Sequence, residues 1–362
     1  MTMETEPMDR LQSLLAQISL PDPAPGQAAQ AHLDNLTKPR GSLGRIEELA
    51  SRLCVMRGSA SLAQPSAAVA VFAADHGVAA AGVSLYPREV TAQMVYNILN
   101  GGAGINVLAR QAGARVRVVD VGVDHDFEAV PELIQAKVRR GTRNLLEEPA
   151  MTLAEAVAAV MVGAQVAAQL IDQGADLLIP GDMGIGNTTP CAAITAVLCG
   201  LEPAAVTGRG TGLDDQGLAR KVAVLEKALA RHQADPNDPL AVLAALGGLE
   251  IAAICGFVLG AAVRRAPVIL DGFISTTGAL VACRLAPAAA AYVIVGHASQ
   301  EIGHRAQCAA LGQRPLLDLD LRLGEGTGAA LALHLVRAAV AIYNEMATFA
   351  SAGVTGDEVN NG

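Results

Sequence analysis

The sequence has no tryptophan, and four tyrosines and five phenylalanines bring its aromatic content to only 2% of 362 residues. Proteins that bind single-stranded nucleic acid stack the bases on aromatic rings, and proteins that bind duplexes gather lysine and arginine on one face. The formal net charge of this chain is −9, so a broad basic face is missing as well. We therefore expect no nucleic acid among its partners.

Paired cysteines are also missing, because no two of the six cysteines stand in a C-x-x-C pair. Scattered cysteines favour reduced thiols in a packed core over disulfides or a zinc site, so we expect a cytoplasmic protein. The first ten residues are acidic and show no basic segment followed by an apolar one, which argues against a signal peptide. The cysteines are Cys54, Cys191, Cys199, Cys255, Cys283 and Cys308.

Long uncharged apolar runs are scarce. Residues 240–263 are apolar enough to raise the question of a membrane span, but Glu250 stands near the middle of this segment. Four glycines in the same segment are typical of close helix packing inside a protein. We expect no association with a membrane.

Apolar residues as such are abundant, since 52% of the chain is hydrophobic and only 17% is charged. Short apolar runs, polar turns and helical patterns follow one another about six times, which predicts an α/β fold. The expected core is a mainly parallel, Rossmann-like sheet of about six strands with helices on both faces. We assign residues 61–328 to a large α/β domain, and residues 1–60 with about 329–362 to a small helical domain. The predicted strands are 67–73, 116–121, 177–179, 267–270, 291–295 and 315–317.

The turn after the predicted strand 177–179 is the most suggestive segment. Gly184 and Gly186 let the backbone approach a ligand closely, while Asn187, Thr188 and Thr189 stand at the start of the next helix. A helix start of this kind suits a phosphate. The segment has neither the lysine of a P-loop nor the third glycine of a dinucleotide fingerprint. A plain strand-to-helix turn with a threonine cap is the alternative interpretation.

Polar residues follow several of the other predicted strands. Ligand sites in parallel sheets form outside the carboxyl ends of the strands, so these residues are expected to meet in one crevice although they are far apart in sequence. A second glycine-rich bend at 208–212 precedes a helix that carries Lys221 in its first turns. The polar segments in question are 75–76, 182–189, 271–277 and 297–299.

Two other kinds of site are weighed against this crevice. Asp75, His76, His297 and His304 could suggest a metal site, but no H-E-x-x-H motif or thiolate pair is present, and histidines at strand ends are often hydrogen-bonded core residues. Ser299 lies two residues from His297, but the G-x-S-x-G elbow of a serine hydrolase is absent. We expect neither a metal nor a cofactor.

Glu325 is the most suggestive acid in the chain. It stands alone between two glycines, so the backbone can bend into the crevice, and its apolar sequence neighbours would raise the pKa of the carboxyl toward that of a useful general base. A glutamate placed at a helix start by the helix dipole is an equally good interpretation of the spacing.

The motifs together are similar to those of a known family, the nicotinate-nucleotide:dimethylbenzimidazole phosphoribosyltransferases of cobalamin nucleotide-loop assembly. The resemblance covers about residues 36–347. It rests on TKPRGSLG at 37–44, ADHGV at 74–78, GIGNTT at 184–189, GTG at 210–212, DGF at 271–273 and GEGTG at 324–328.

The resemblance implies a reaction: transfer of the 5-phosphoribosyl group from nicotinate mononucleotide to 5,6-dimethylbenzimidazole, with inversion at the anomeric carbon. It also implies a homodimer. Glu325 resembles the general base, and Ser84 and Gln93 resemble the aglycone pocket. The residues that resemble the ribose-phosphate contacts are Gly184, Gly186, Asn187, Thr188, Lys221 and Ser299.

The chemistry of the donor agrees with this resemblance. Nicotinate leaves from a positively charged pyridinium and needs no general acid, so one base is enough. Carboxylates such as Asp271 and Asp182 would favour positive charge developing on the ribose. Asp182 and Ile302 depart from the family pattern, in which a glutamate and a proline are expected. Another acceptor such as adenine or a phenol, or a non-catalytic nucleotide binder, is a competing hypothesis.

Overall fold

The computed structural model describes residues 5–355 and places six parallel strands in one sheet. The strand order is β3-β2-β1-β4-β5-β6, the classic doubly wound order, in which the chain reverses direction across the sheet between β1 and β4. The prediction of a six-stranded parallel α/β sheet is confirmed. The strands are β1 (Ala67–Ala74), β2 (Arg115–Gly122), β3 (Leu133–Gln135), β4 (Leu177–Met183), β5 (Val268–Leu270) and β6 (Val293–Val295).

One predicted strand is wrong and one was missed. The sixth strand of the sheet is β3, which pairs with β2 at the edge. The predicted strand 315–317 lies outside this sheet, because β8 (Leu317–Asp318) pairs with β7 (His297–Ala298) in a separate two-stranded sheet. A strand as short as β3 or β8 has no clear period of its own, and its partner strand decides where it forms.

Helices pack around the sheet, and α11 lies on its central strands β1, β2 and β4. Two short 3₁₀ helices, Gly77–Ala81 and Pro287–Tyr292, add further turns. The α-helices are α1 (Thr5–Leu15), α2 (Ala24–Asp34), α3 (Arg45–Arg57), α4 (Val90–Leu99), α5 (Gly104–Gln111), α6 (Leu153–Asp172), α7 (Thr188–Cys199), α8 (Pro203–Val206), α9 (Asp215–His232), α10 (Pro239–Leu246), α11 (Leu249–Val263), α12 (Phe273–Leu285), α13 (Gly303–Ala310), α14 (Thr327–Glu345) and α15 (Phe349–Ala352).

The described residues group into two compact units. The larger contains the sheet, with residues as far as Ser19 and Ser66–Ala332, and the smaller contains Leu20–Pro65 and the residues from Leu333 onward. Helix α1, which the sequence assigns to the small helical domain, packs instead on α6 and α11 of the larger unit. An amphipathic pattern predicts that a helix is covered but does not say by which partner.

In the smaller unit, the motif at 37–44 is tied to helix α3. The ammonium of Lys38 lies 2.9 Å from the carboxylate of Glu47, and both side chains are almost fully buried. The other carboxylate oxygen of Glu47 accepts a hydrogen bond from the amide of Leu43 at 2.9 Å. These contacts give the polar loop at 37–44 a structural role within its own unit.

The apolar segment 240–263 forms two separate helices, α10 and α11, and neither is long enough to cross a bilayer. Helix α6, with 20 residues and a mean hydropathy of 1.6, does have the length and composition of a membrane span. Half of this stretch is buried inside the protein, and α6 packs along α11. Core helices of large domains share this composition.

Candidate active site

The turn between β4 and α7 requires glycine at two positions. A Cβ on Gly184 would lie 2.5 Å from the carbonyl oxygen of Ala74 and 3.1 Å from Nε2 of His76. Gly186 has a φ of +90°, which side chains other than that of glycine rarely tolerate. Asn187 follows as the N-cap of α7, so the turn brings the amino end of this helix to the carboxyl edge of the sheet.

This turn lines a cavity of about 570 Å³ in the larger unit, and Glu325 lines the same cavity. Eight of the eleven site residues predicted from the sequence meet here, although they come from four separate stretches of the chain. They are Ser84, Asp182, Gly184, Gly186, Asn187, Thr188, Ser299 and Glu325.

Three predicted residues do not line the cavity. Lys221 is fully buried beside Thr188, and Asp271 is fully buried behind the Glu325 turn. Gln93 is exposed on helix α4, whereas its neighbours Val90 and Met94 reach the cavity. One turn of a helix presents only one face to a site, and the helical rotation of α4 points Gln93 elsewhere.

Glu325 adopts a left-handed backbone conformation with a φ of +63°. Such strain in a residue other than glycine is characteristic of functional sites. Its backbone lies against β4 so closely that a Cβ on Gly181 would overlap the carbonyl oxygen of Glu325. The side chain is 4% exposed, and its Oε2 accepts a hydrogen bond from the amide of Ile105 at 3.1 Å, at the start of α5.

Burial is the main cause that raises the pKa of the Glu325 carboxyl above its usual range. The hydrogen bond from the Ile105 amide acts in the opposite direction, and the charge of Asp271 raises the pKa further. A carboxylate with a raised pKa that faces a cavity is a suitable general base.

Asp182 lies at the end of β4 beside the turn of Glu325. Burial, followed by the nearby charge of Asp271, raises the pKa of Asp182 well above its usual range. Its carboxylate accepts a hydrogen bond of 2.9 Å from the side-chain amide of Asn187. This acid therefore links the β4–α7 turn to the wall of the cavity that carries Glu325.

A buried cation contacts Thr188, one of the residues that line the cavity. The ammonium of Lys221 donates to the hydroxyl of Thr188 at 2.7 Å and to the carbonyl oxygen of Gly208 at 3.1 Å. Burial lowers the pKa of Lys221, and the charge of Glu301 partly offsets this. Glu301 also accepts a hydrogen bond from the amide of Gly210 at 2.9 Å, which holds the second glycine-rich bend in place.

Sequence reasoning missed several residues that line the cavity. Glu301 and Thr211 were given no role. Thr211 stands between the glycines of the GTG motif at 210–212, which was the available signal for it. Its hydroxyl accepts a hydrogen bond from the amide of Leu85 at 3.1 Å and lies 3.4 Å from the hydroxyl of Ser84. Arg322 carries no motif signal, but its guanidinium donates to the carbonyl oxygen of Gly210 at 3.3 Å.

The histidines considered as metal ligands have other partners. Nε2 of His76 lies 2.7 Å from the carboxylate of Glu250, and both side chains are fully buried. His297 faces Asp271 at 3.4 Å, and His304 lies 3.1 Å from the hydroxyl of Thr276. Burial lowers the pKa of His304 to about 3, so its ring is neutral.

Comparison with known proteins places this geometry in context. A family model described as phosphoribosyltransferase matches residues 18–354. The nicotinate-nucleotide–dimethylbenzimidazole phosphoribosyltransferase of Chlorobaculum tepidum is 54% identical over 348 residues, covering 96% of this chain and 99% of that protein. The protein of the same name from Geobacter sulfurreducens is 55% identical over 354 residues, covering 98% and 99%. The crystal structure of CobT from Thermus thermophilus matches with a TM-score of 0.88 at 49% identity, covering 95% of this chain and 100% of that one.

Proposed function

The chain belongs to the nicotinate-nucleotide–dimethylbenzimidazole phosphoribosyltransferase family, and on that premise we propose how its cavity carries out the transfer. The enzyme moves the 5-phosphoribosyl group from nicotinate mononucleotide to 5,6-dimethylbenzimidazole and releases α-ribazole 5′-phosphate and nicotinate. This reaction supplies the lower ligand of cobalamin. The observation that carries the proposal is that Glu325 and the Gly184 turn line one cavity.

The phosphate and ribose of the donor lie at the α7 end of the cavity. The start of α7 at Thr188 offers backbone amides to an anion, and Lys221 supplies positive charge through its contact with the Thr188 hydroxyl. Gly184 and Gly186 leave room for the ribose because they have no side chain. Asn187 and Ser299 add polar groups on the same wall.

The flat acceptor base lies at the apolar end of the cavity. Val83, Tyr86, Val90 and Met94 line this end, and Ser84 provides a hydroxyl beside them. A pocket that is mostly apolar with a few polar groups suits a weakly polar heterocycle. Gln93 belongs to this proposal only if α4 turns when the acceptor binds, because its side chain is exposed in the structure.

The chemical step breaks the bond from the anomeric carbon to the pyridinium nitrogen of the donor, and the bonding electrons leave with nicotinate. A nitrogen of the benzimidazole forms the new bond to the same carbon from the opposite face, which inverts the configuration. Glu325 accepts the proton that the other benzimidazole nitrogen loses. In its ionised form, Asp182 favours the positive charge that develops on the ribose. Because the pyridinium is already an activated leaving group, we assign no role to a metal or cofactor.

Glu325→Gln tests the proposed base. The amide cannot accept the proton, so turnover should fall by roughly a hundredfold or more. Its oxygen can still accept the hydrogen bond from the Ile105 amide, so binding of nicotinate mononucleotide should be almost unchanged. Nicotinate release and calorimetric binding, measured on the purified full chain, give the two quantities.

The same assay separates the competing hypotheses. Tight binding of the nucleotide without nicotinate release by the wild-type protein would support a non-catalytic binder. Nicotinate release that is faster with adenine or a phenol than with dimethylbenzimidazole would show that the preferred acceptor is that other base or the phenol. Wild-type turnover by Glu325→Gln would remove Glu325 from the mechanism.

We further propose that the protein works as a homodimer in the cytoplasm, without nucleic acid or membrane partners. The family resemblance supports the dimer. All six cysteines are free, and five of them are buried, which agrees with a reducing compartment. The net charge of −9 speaks against association with anionic polymers or lipid surfaces.

A further inference from the structure

The carboxylate of Asp271 is hydrogen-bonded to backbone amides of the protein itself. Asp271 follows β5 and is 0% exposed. Its carboxylate accepts hydrogen bonds from three backbone amides in the residues just after Glu325. Oδ2 accepts from Gly326 at 3.2 Å, whereas Oδ1 accepts from Gly328 at 2.7 Å and from Ala329 at 3.0 Å. Both carboxylate oxygens accept hydrogen bonds from backbone amides, and Asp271 is not among the residues that line the cavity.

These contacts place a negative charge at the amino end of helix α14, where the first amides of a helix lack partners within it. Asp271 thus does the work of an N-cap residue from another element. The bend that it holds also includes Gly324, Glu325 and Gly326, with φ values of +86°, +63° and +96°. Glu325 is the only one of these three with a side chain, and its left-handed conformation persists only where the surrounding structure holds it.

We propose that Asp271 is a positioning residue for the general base: its carboxylate holds the amides of Gly326, Gly328 and Ala329 and thereby fixes Glu325 in the cavity. This inference rests on the proposed role of Glu325. The sequence suggested that Asp271 favours positive charge on the ribose; here its action goes instead through the backbone of another residue. A loss of this anchor moves the base, and a displacement of about 1 Å can cost about a hundredfold in rate.

The charge of Asp271 has a second effect on the same base. The titratable groups that face Glu325 in the described structure are Asp182 from β4 and Asp271 from the β5–α12 turn. The charge of Glu250 on α11 acts on Asp182, and Nε2 of His297 on β7 lies 3.4 Å from the carboxylate of Asp271. The charge of Asp271 raises the pKa of Glu325, so its removal lowers that pKa.

Two substitutions separate position from charge. Asp271→Asn keeps the shape but loses the charge, and its NH₂ group opposes one of the backbone amides. We expect kcat to fall by about a hundredfold, KM for nicotinate mononucleotide to change little, and the acid limb of the kcat/KM profile to move to lower pH. Asp271→Glu keeps the charge and displaces the carboxylate by one methylene, so kcat should fall while the acid limb stays near that of the wild type.

Thr277→Val is the matched control, on helix α12, which follows the turn of Asp271. The Thr277 hydroxyl donates to the carbonyl oxygen of Phe273 at 2.8 Å and accepts from Gln307 at 2.7 Å, away from the Glu325 bend. Its loss should lower the melting temperature without moving the acid limb. A variant that is only destabilised would therefore behave like Thr277→Val and unlike Asp271→Asn.

Amide hydrogen exchange of the wild-type protein provides an arm that does not depend on any variant. The segment 324–330 should exchange slowly, as a restrained bend does, and faster in Asp271→Asn where that variant folds. Fast exchange in the wild type would overturn the proposal. So would Asp271→Asn with an unchanged kcat, or with a raised KM for nicotinate mononucleotide as its only defect. A wild-type protein that releases no nicotinate defeats the proposed function instead, and the exchange data then decide the anchoring by themselves.

Discussion

At the scale of single residues, the site combines features that each cost stability. Glu325 has a left-handed backbone, and its carboxyl is buried close to Asp182 and Asp271. A left-handed residue other than glycine costs of order 1 kcal/mol or more. Buried carboxylates near one another disfavour ionisation, which raises pKa values. The same placement that makes Glu325 a suitable candidate for the general base therefore lowers the stability of the fold.

The pH dependence of stability should reveal this cost. Because the folded pKa of Glu325 is raised, its contribution to stability is fully present below the unfolded pKa and is lost as the pH rises through the folded pKa. Glu325→Gln has no ionisable group at this position and loses nothing there. The variant should thus become more stable than the wild type as the pH rises toward neutrality, which urea unfolding at a series of pH values can measure. A gap that stays constant with pH would show that the folded pKa is not raised.

At the scale of elements, the larger unit depends on one close helix crossing. A Cβ on Gly163 of α6 would overlap the carbonyl oxygen of Ala253, and a Cβ on Gly256 of α11 would overlap that of Val160. The two backbones therefore touch. This crossing explains why the apolar helix α6 belongs to the protein core, since the segment that it packs on, α11, covers the central strands of the sheet.

Gly256→Ala tests the crossing. In an exposed helix this change stabilises by about 1 kcal/mol, because alanine is the better helix former. Here the added methyl group has no room, so we expect a loss of about 3 kcal/mol in the free energy of unfolding. Urea unfolding measures the change, with Gln165→Ala on the exposed face of α6 as a control that should stay within about 0.5 kcal/mol. Equal or greater stability of Gly256→Ala would show that the helices lie further apart.

At the scale of the whole molecule, the cavity has apolar side chains at the surface near its mouth. Leu323 and Tyr86, which line the cavity, are 61% and 56% exposed, and the adjacent Leu85 is 60% exposed. Large apolar side chains that are solvated together favour association or ligand contact. They agree with the proposed homodimer without deciding which surface forms it.

The state of association can be measured directly. Sedimentation equilibrium should give a mass twice that of the 36.9 kDa chain at micromolar concentration. Glu325→Gln should give the same mass, because the substitution lies inside the cavity. A wild-type mass equal to one chain over the whole concentration range would contradict the dimer.

The sequence by itself determined most of the sheet and indicated eight of the residues that line the cavity. Short apolar runs bounded by turn residues, such as those of β1 and β4, indicate buried strands, and the polar ends of parallel strands share one edge of the sheet. For this reason Asp182, the Gly184 turn and Glu325 could be expected in one crevice before any distance was known. The motifs that indicated the family include these same turns, because the residues expected to bind the substrates lie in them.

Tertiary structure decided what local patterns leave open. The pairing of β3 and β8 depends on their partner strands, and the place of α1 depends on which apolar surface covers it. Whether a carboxylate faces the cavity or the backbone is also a tertiary property. Glu325 lines the cavity, whereas Asp271 accepts hydrogen bonds from three backbone amides of a distant segment. The sequence predicts which polar residues lie at the edge of the sheet. Only the packing of separate turns against one another determines the direction in which each side chain points.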